Sequence, residues 1–335
     1  MPARAFLGMR TCAQASAIFC AVGRNGAYGA VTRAGPWATH TMPSQYGWNS
    51  VCWSPDLRLF CAVGINEVAT SLNGSAWTGR SAPAGSWYSV CWSSELGLFC
   101  AVGTSAPYSM TSPDGITWTA TTQVGQSPTI GPPLVPPIAP WGLWDSVCWS
   151  PELGLFCAVT GAYNGVGGGL QNYDVMTSPD GATWTYQIAP ADNYWEDVCW
   201  SPDLNLFCAV SGSTPYVMTS PDGVTWTGQT GAQVGGWFGI CWSSTLGLFC
   251  ACQHGTSGMM TSPDGVTWTL HAIAGGDIGG WQKIAWSADL NLFCAVNVGT
   301  YYFYGVAATS PDGINWIIEA QTLYSGWWGV CSNDD

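Results

Sequence analysis

The chain has 335 residues, is 47% hydrophobic and only 8% charged, and carries a formal charge of −13 from 20 acidic and 7 basic residues. So few cations, six of them before residue 81, argue against a nucleic-acid partner or an anionic membrane surface. No apolar run is long enough to predict membrane insertion, and the opening M-P-A-R-A-F-L-G-M-R lacks the apolar core of a secretory signal, so the expected exit is either with a signal already removed or by another route such as lysis.

The first predicted element is a strand over 18–22, I-F-C-A-V. From Trp48 onward one unit returns: W-x-x-V-C-W-S-x-x-L-x-L-F-C-A-V, a variable stretch, then T-S-P-D-G-x-T-W. Its opening tryptophans are Trp48, Trp87, Trp144, Trp195, Trp237, Trp281 and Trp327, spaced by 39 to 57 residues, close to the period of a four-stranded propeller blade. Each unit predicts four strands. Strand a is W-x-x-V-C-W, strand b is L-F-C-A-V, strand c ends in M-T-S, and strand d is x-T-W-T. Val, Cys, Phe, Thr and Trp dominate them, Gly or Pro-Asp-Gly punctuates them, and no segment keeps a helical period. The last unit stops after strand a, at 326–332, and the first begins with strand b. The expectation is an all-β, seven-bladed β-propeller of four-stranded antiparallel blades over residues 1–335. Blade 1 is built from about 15–42 plus 325–332, and the C-terminal strand closes the ring. A competing strand a at 9–12 has Gly8 where the opening tryptophan should stand.

Between strands c and d, Ser-Pro-Asp-Gly sets the second turn position with proline and ends on a glycine able to take positive φ. The turn aspartates are Asp114, Asp180, Asp222, Asp264 and Asp312; Asn73 replaces one of them, and near Thr32 the pattern decays to T-R-A-G-P-W. These residues resemble the Asp-box of sialidase-like β-propellers, S-x-D-x-G-x-T-W, with one residue fewer between Asp and Trp. The resemblance implies a structural turn in each of seven blades and a fold rather than an activity.

Five repeats carry Cys-x8-Cys: Cys52/Cys61, Cys91/Cys100, Cys148/Cys157, Cys199/Cys208 and Cys241/Cys250. In an a–b hairpin the two face each other with Cα atoms about 4.5–5.5 Å apart, within disulfide range. Cys20 and Cys331 would pair across the closure. Such bridges point to an oxidising, extracellular or virion setting. The other reading makes each cysteine a small buried hydrophobe, and Ala285 opposite Cys294 favours it. The cysteines and His40, His254 and His271 show no zinc spacing, so no metal site and no cofactor are expected. Acids at Asp56, Glu95, Glu152, Asp203 and Asp289 join the turn aspartates on one face. They are a candidate ring for calcium or a basic partner, and turn chemistry alone also accounts for them.

The opposite face varies in length. It carries the proline-rich 129–140 with Trp141, the glycine-rich 161–174 with Tyr163 and Tyr173, and Tyr301, Tyr302 and Tyr304. Aromatic, uncharged loops on a rigid scaffold suit cell-surface glycan, self-association or other structural subunits, and mutual loop packing is the alternative. No arginine follows Arg80, so four or more blades cannot contribute to a sialidase-type arginine cluster. The expectation is a non-catalytic extracellular or virion-surface subunit, a fibre, tail or decoration protein rather than an enzyme. The alternative is a glycoside hydrolase or sialidase-like enzyme with paired carboxylates drawn from Asp174, Glu196 and Asp197.

Overall fold

The computed structural model describes residues 17–23, 30–33, 37–44, 47–121, 143–161, 174–214, 216–255, 258–273, 280–299, 305–319 and 326–334. Among them, seven four-stranded antiparallel sheets form. Six are blades made from one uninterrupted stretch each, opening at Trp48, Trp87, Trp144, Trp195, Trp237 and Trp281. The remaining sheet is a composite in which Trp327–Ser332 pairs with Phe19–Gly23, followed by Ala30–Arg33 and Ala38–His40. Each inner strand packs on the next, and Trp327–Ser332 packs on both Trp281–Ser287 and Trp48–Ser54, which closes the ring.

The expectation of a seven-bladed propeller with seven turn boxes is corrected to six complete blades, with the ring closed by a shared sheet. Six complete blades carry a described box, at Asn73, Asp114, Asp180, Asp222, Asp264 and Asp312. The closing sheet is shared between the two ends of the chain and is not a copy of the unit. Its own turn, 34–36, lies outside the described residues.

The second strand of each blade is buried along its length, as in Leu59–Gly64, because neighbouring blades cover both of its faces. This is why L-F-C-A-V reads as a continuous apolar run rather than an alternation. The seven opening tryptophans are at most 1% exposed and fill the blade-to-blade seams. The outer strands are short and mostly less buried, as in Thr78–Arg80, although Thr185–Gln187 is largely covered.

Each box is a small network. Asp114 Oδ1 accepts the N–H groups of Ile116 (2.8 Å) and Thr117 (2.7 Å), Ser112 Oγ accepts that of Gly115 (2.9 Å), and Trp118 Nε1 donates to the Gly115 carbonyl (3.1 Å). Gly115 has φ +69°, and a Cβ there would stand 3.1 Å from Thr70 of the preceding blade, so conformation and space both call for glycine. In each box it is the Oδ1 atom of the turn residue that is committed to these donors. Among the described residues no group of three or more His, Cys, Asp or Glu is placed to hold a metal ion. Likewise no helix there is long and apolar enough to cross a membrane.

The acids of the a–b turns have a different use. Trp92 Nε1 donates to Asp56 (2.9 Å), Trp149 to Glu95 (2.6 Å), Trp200 to Glu152 (2.6 Å) and Trp242 to Asp203 (2.8 Å). Each is a latch from one blade's inner strand to the preceding blade's turn. Where that turn offers Thr245 in place of an acid, Trp286 Nε1 is buried without a hydrogen-bond partner.

Candidate functional site at the loop-face mouth of the channel

Every inner strand bulges directly after its opening tryptophan; Trp48 pairs with Gly64 and Ser50 with Val63, so Asn49 is the extra residue. A bulge re-aims the side chain it inserts. Around the ring the bulged residues are Asn49, Tyr88, Asp145, Glu196, Phe238, Gln282 and Trp328. They sit at the end of the central channel where the variable loops attach. This is where the copies differ most, although their backbones are alike.

The next residue of each inner strand forms a belt. Ser50 Oγ accepts the N–H of Val90 (3.3 Å), Ser89 that of Val147 (3.2 Å) and Ser146 that of Val198 (3.4 Å). In the following blade the serine is replaced by Asp197, whose Oδ2 accepts the N–H of Ile240 (2.9 Å) and whose Oδ1 accepts the Ser146 hydroxyl (2.6 Å). Lys283 Nζ closes a 2.6 Å ion pair with Asp197 Oδ1 from two blades away. Gly239 stands between them; a Cβ there would come within 2.9 Å of Lys283 Cα, so its missing side chain leaves the lysine its path.

Beside this pair lie two more carboxyls. Asp145 Oδ2 accepts the Gly161 N–H (2.7 Å), and a Cβ on Gly161 would collide with that oxygen and lie 3.5 Å from Glu196 Oε2. The two carboxyls thus border one small space at the root of the 161–174 loop. Glu196 is pushed up to about 8. Burial is the main cause and the charge of Asp145 adds to it, Lys283 opposes it, and Asp197 again raises it. At neutral pH Glu196 is mostly a carboxylic acid, a proton donor beside a proton acceptor.

Of the residues singled out from the sequence, Trp141, Tyr163, Tyr173, Tyr301, Tyr302 and Tyr304 lie outside the described residues, as does 129–140. The carboxylate grouping is redrawn. Asp174 is fully buried and accepts the Asn193 N–H (3.2 Å), while Asp197 is bound to Lys283, so the pair is Asp145 with Glu196. Lys283 escaped notice, though it is the only basic residue after Arg80.

The expected disulfides are also corrected. The register sets Cys52 opposite Cys61, Cys91 opposite Cys100, Cys148 opposite Cys157, Cys199 opposite Cys208, Cys241 opposite Cys250 and Cys20 opposite Cys331, yet no sulfur–sulfur bond joins any of them. Strand-b sulfurs turn toward the next blade's box. Cys100 Sγ lies 3.3 Å from where a Cβ of Gly181 would be, and Cys250 Sγ lies 3.7 Å from that of Gly313. Inner-strand Cys52 and Cys331 instead line the channel at its other mouth. Burial pushes the thiols of Cys52, Cys148 and Cys199 well up.

No family model matches the chain, and no curated protein does. Solved structures do. The chain is similar to virginiamycin B lyase from Staphylococcus aureus (TM-score 0.65, 10% identity, covering 83% of this chain and 85% of that one). It is similar to a streptogramin B lyase structure (TM-score 0.67, 10% identity, 85% and 87%). It is also similar to YCF48 bound to D1 peptide (TM-score 0.59, 16% identity, 89% and 86%). At these identities the likeness shows the β-propeller fold alone. The expectation of a fibre, tail or decoration subunit is corrected to the β-propeller fold alone: the neighbours, by their own names lyases and a peptide-bound protein, give that role no support.

Proposed function

We propose that the loop-face mouth of the channel is a general acid–base site acting on a small uncharged substrate, with Glu196 as proton donor and Asp145 as proton acceptor. The observation that carries this reading is the Glu196 carboxyl, raised to about 8 beside the carboxyl of Asp145. The chemistry such a pair supports is hydrolysis of a C–O bond. Glu196 gives its proton to the departing oxygen as the C–O bond breaks. Asp145 takes a proton from a water whose oxygen forms the new bond to carbon, and solvent exchange then returns both groups to their starting states. Asp197 and Lys283 neutralise each other at 2.6 Å. No arginine follows Arg80 and the chain is strongly acidic, so an anionic substrate is disfavoured.

The test is a set of methyl esters and alkyl glycosides, whose alkoxide leaving groups need a proton to depart, with wild type, Glu196→Gln and Asp145→Asn. The expected result is turnover that declines above about pH 8 as Glu196 loses its proton, falling by roughly 10²-fold or more in either variant. Turnover that is unchanged in Glu196→Gln would overturn the assignment.

A further inference from the structure

The opposite mouth of the channel holds a cavity of about 290 Å³. Three successive blades and the closing strand build it, through Trp53 and Pro55, Trp92, Ser94 and Glu95, Trp149 and Pro151, and Cys331. Its volume is near the lower end for small-ligand pockets. The indole N–H edges are already committed, Trp92 to Asp56 (2.9 Å) and Ser94 (3.2 Å), Trp149 to Glu95 (2.6 Å). These rings therefore have carbon surface, not hydrogen bonds, to offer an occupant. Trp92 and Trp149 thus each meet a carboxylate at the N–H, which reinforces the negative potential of their π-faces.

The charge around the cavity has one sign. Glu95 lines it and Asp56 abuts Trp92, whereas Arg58, on the same turn as Asp56, is exposed and does not line the cavity. Glu95 stands exposed at the rim, and a neutral apolar occupant would leave its charge unanswered. A primary ammonium would need several acceptors, and the cavity offers few beyond Glu95, one of whose oxygens already serves Trp149. A quaternary ammonium needs no acceptor, only aromatic faces and a counter-charge. We propose that this cavity binds a small molecule bearing a quaternary ammonium group, held by Trp53, Trp92 and Trp149 with Glu95 as counter-ion. The proposal is independent of the acid–base site, which occupies the other end of the channel.

The full chain would be titrated with choline and with its uncharged isostere 3,3-dimethyl-1-butanol, reading tryptophan fluorescence and heat. Saturable choline binding is expected, roughly tenfold tighter than the isostere, a ratio within the usual range of cation–π energies. Glu95→Gln should weaken choline several-fold and leave the isostere unchanged, since glutamine still accepts the Trp149 N–H and keeps the fold. Trp92→Phe should weaken choline too. Isostere and choline binding equally would overturn the proposal, as would no saturable binding of choline or a Glu95→Gln variant indistinguishable from wild type.

Discussion

Glu196 occupies a position that the six other inner strands of the ring fill with Asn, Tyr, Asp, Phe, Gln or Trp, so the fold does not require a carboxyl there. Holding it has a cost that pH exposes. Its folded-state pKa of about 8 lies above the ordinary glutamate value of about 4.3. The folded state therefore keeps the proton longer than the unfolded chain does. The stabilising preference is complete below about pH 4 and is lost as pH rises toward 8. Glu196→Gln should accordingly raise the melting temperature at pH 8 by about 1–2 °C, the shift that about 1 kcal/mol gives in a chain of this size, and should change little at pH 4. Equal effects of the substitution at both pH values would show that Glu196 does not titrate in this range. The sequence made Glu196 and Asp197 visible as acids on the variable face. It could not say that a bulge separates their directions, sending one to Asp145 and the other to Lys283, because that depends on ladder register between strands.

At the scale of the element, the turn boxes and the Trp latches carry the repeat. The box was legible almost completely, since Ser, Pro, Asp and Gly each have a local conformational reason to be there. The latch was not, because its two halves belong to different blades and lie 36 to 54 residues apart. One blade tests it by its absence. Thr245→Glu should supply the missing acceptor for Trp286 Nε1 and stabilise the protein by about 1 kcal/mol, read as a higher melting temperature. In the box, Gly115→Ala meets both φ +69° and Thr70, and should destabilise by about 1–2 kcal/mol in denaturant titration. The acidic limit follows from the same turns. Burial opposes ionisation of Asp312, yet the N–H and side chain of Asn315 hold it at about 2. Its stabilising effect is present above the ordinary aspartate value of about 3.9 and is lost as pH falls toward 2, so melting should fall steeply across that interval. The cysteines were misread for a related reason. Spacing gave their register but not which neighbour each sulfur packs on. Native peptide mapping without reductant should find Cys52, Cys61, Cys91 and Cys100 as thiols.

For the whole molecule, the repeat reveals the scaffold, and the departures from it reveal the chemistry. The ring closes through Trp327–Ser332, whose opening tryptophan is fully buried in the seam against the Trp281 blade. Removing 325–335 should lower the stability of the whole ring in one cooperative transition, and an unchanged melting curve would contradict closure by that strand. The even backbone lets single substitutions at the channel mouth set the character of the site. Serine becomes Asp197, glycine at 239 opens space, Lys283 spans it, and Glu196 faces Asp145. The central claim is the protonation state of Glu196. The most direct measurement is a carbon-13 NMR titration of its side-chain carboxyl in the intact chain, assigned by Glu196→Gln. The account predicts a midpoint near pH 8, moving down in Asp145→Asn as the neighbouring charge is removed; a midpoint near the ordinary value of about 4.3, unmoved by Asp145→Asn, would contradict it.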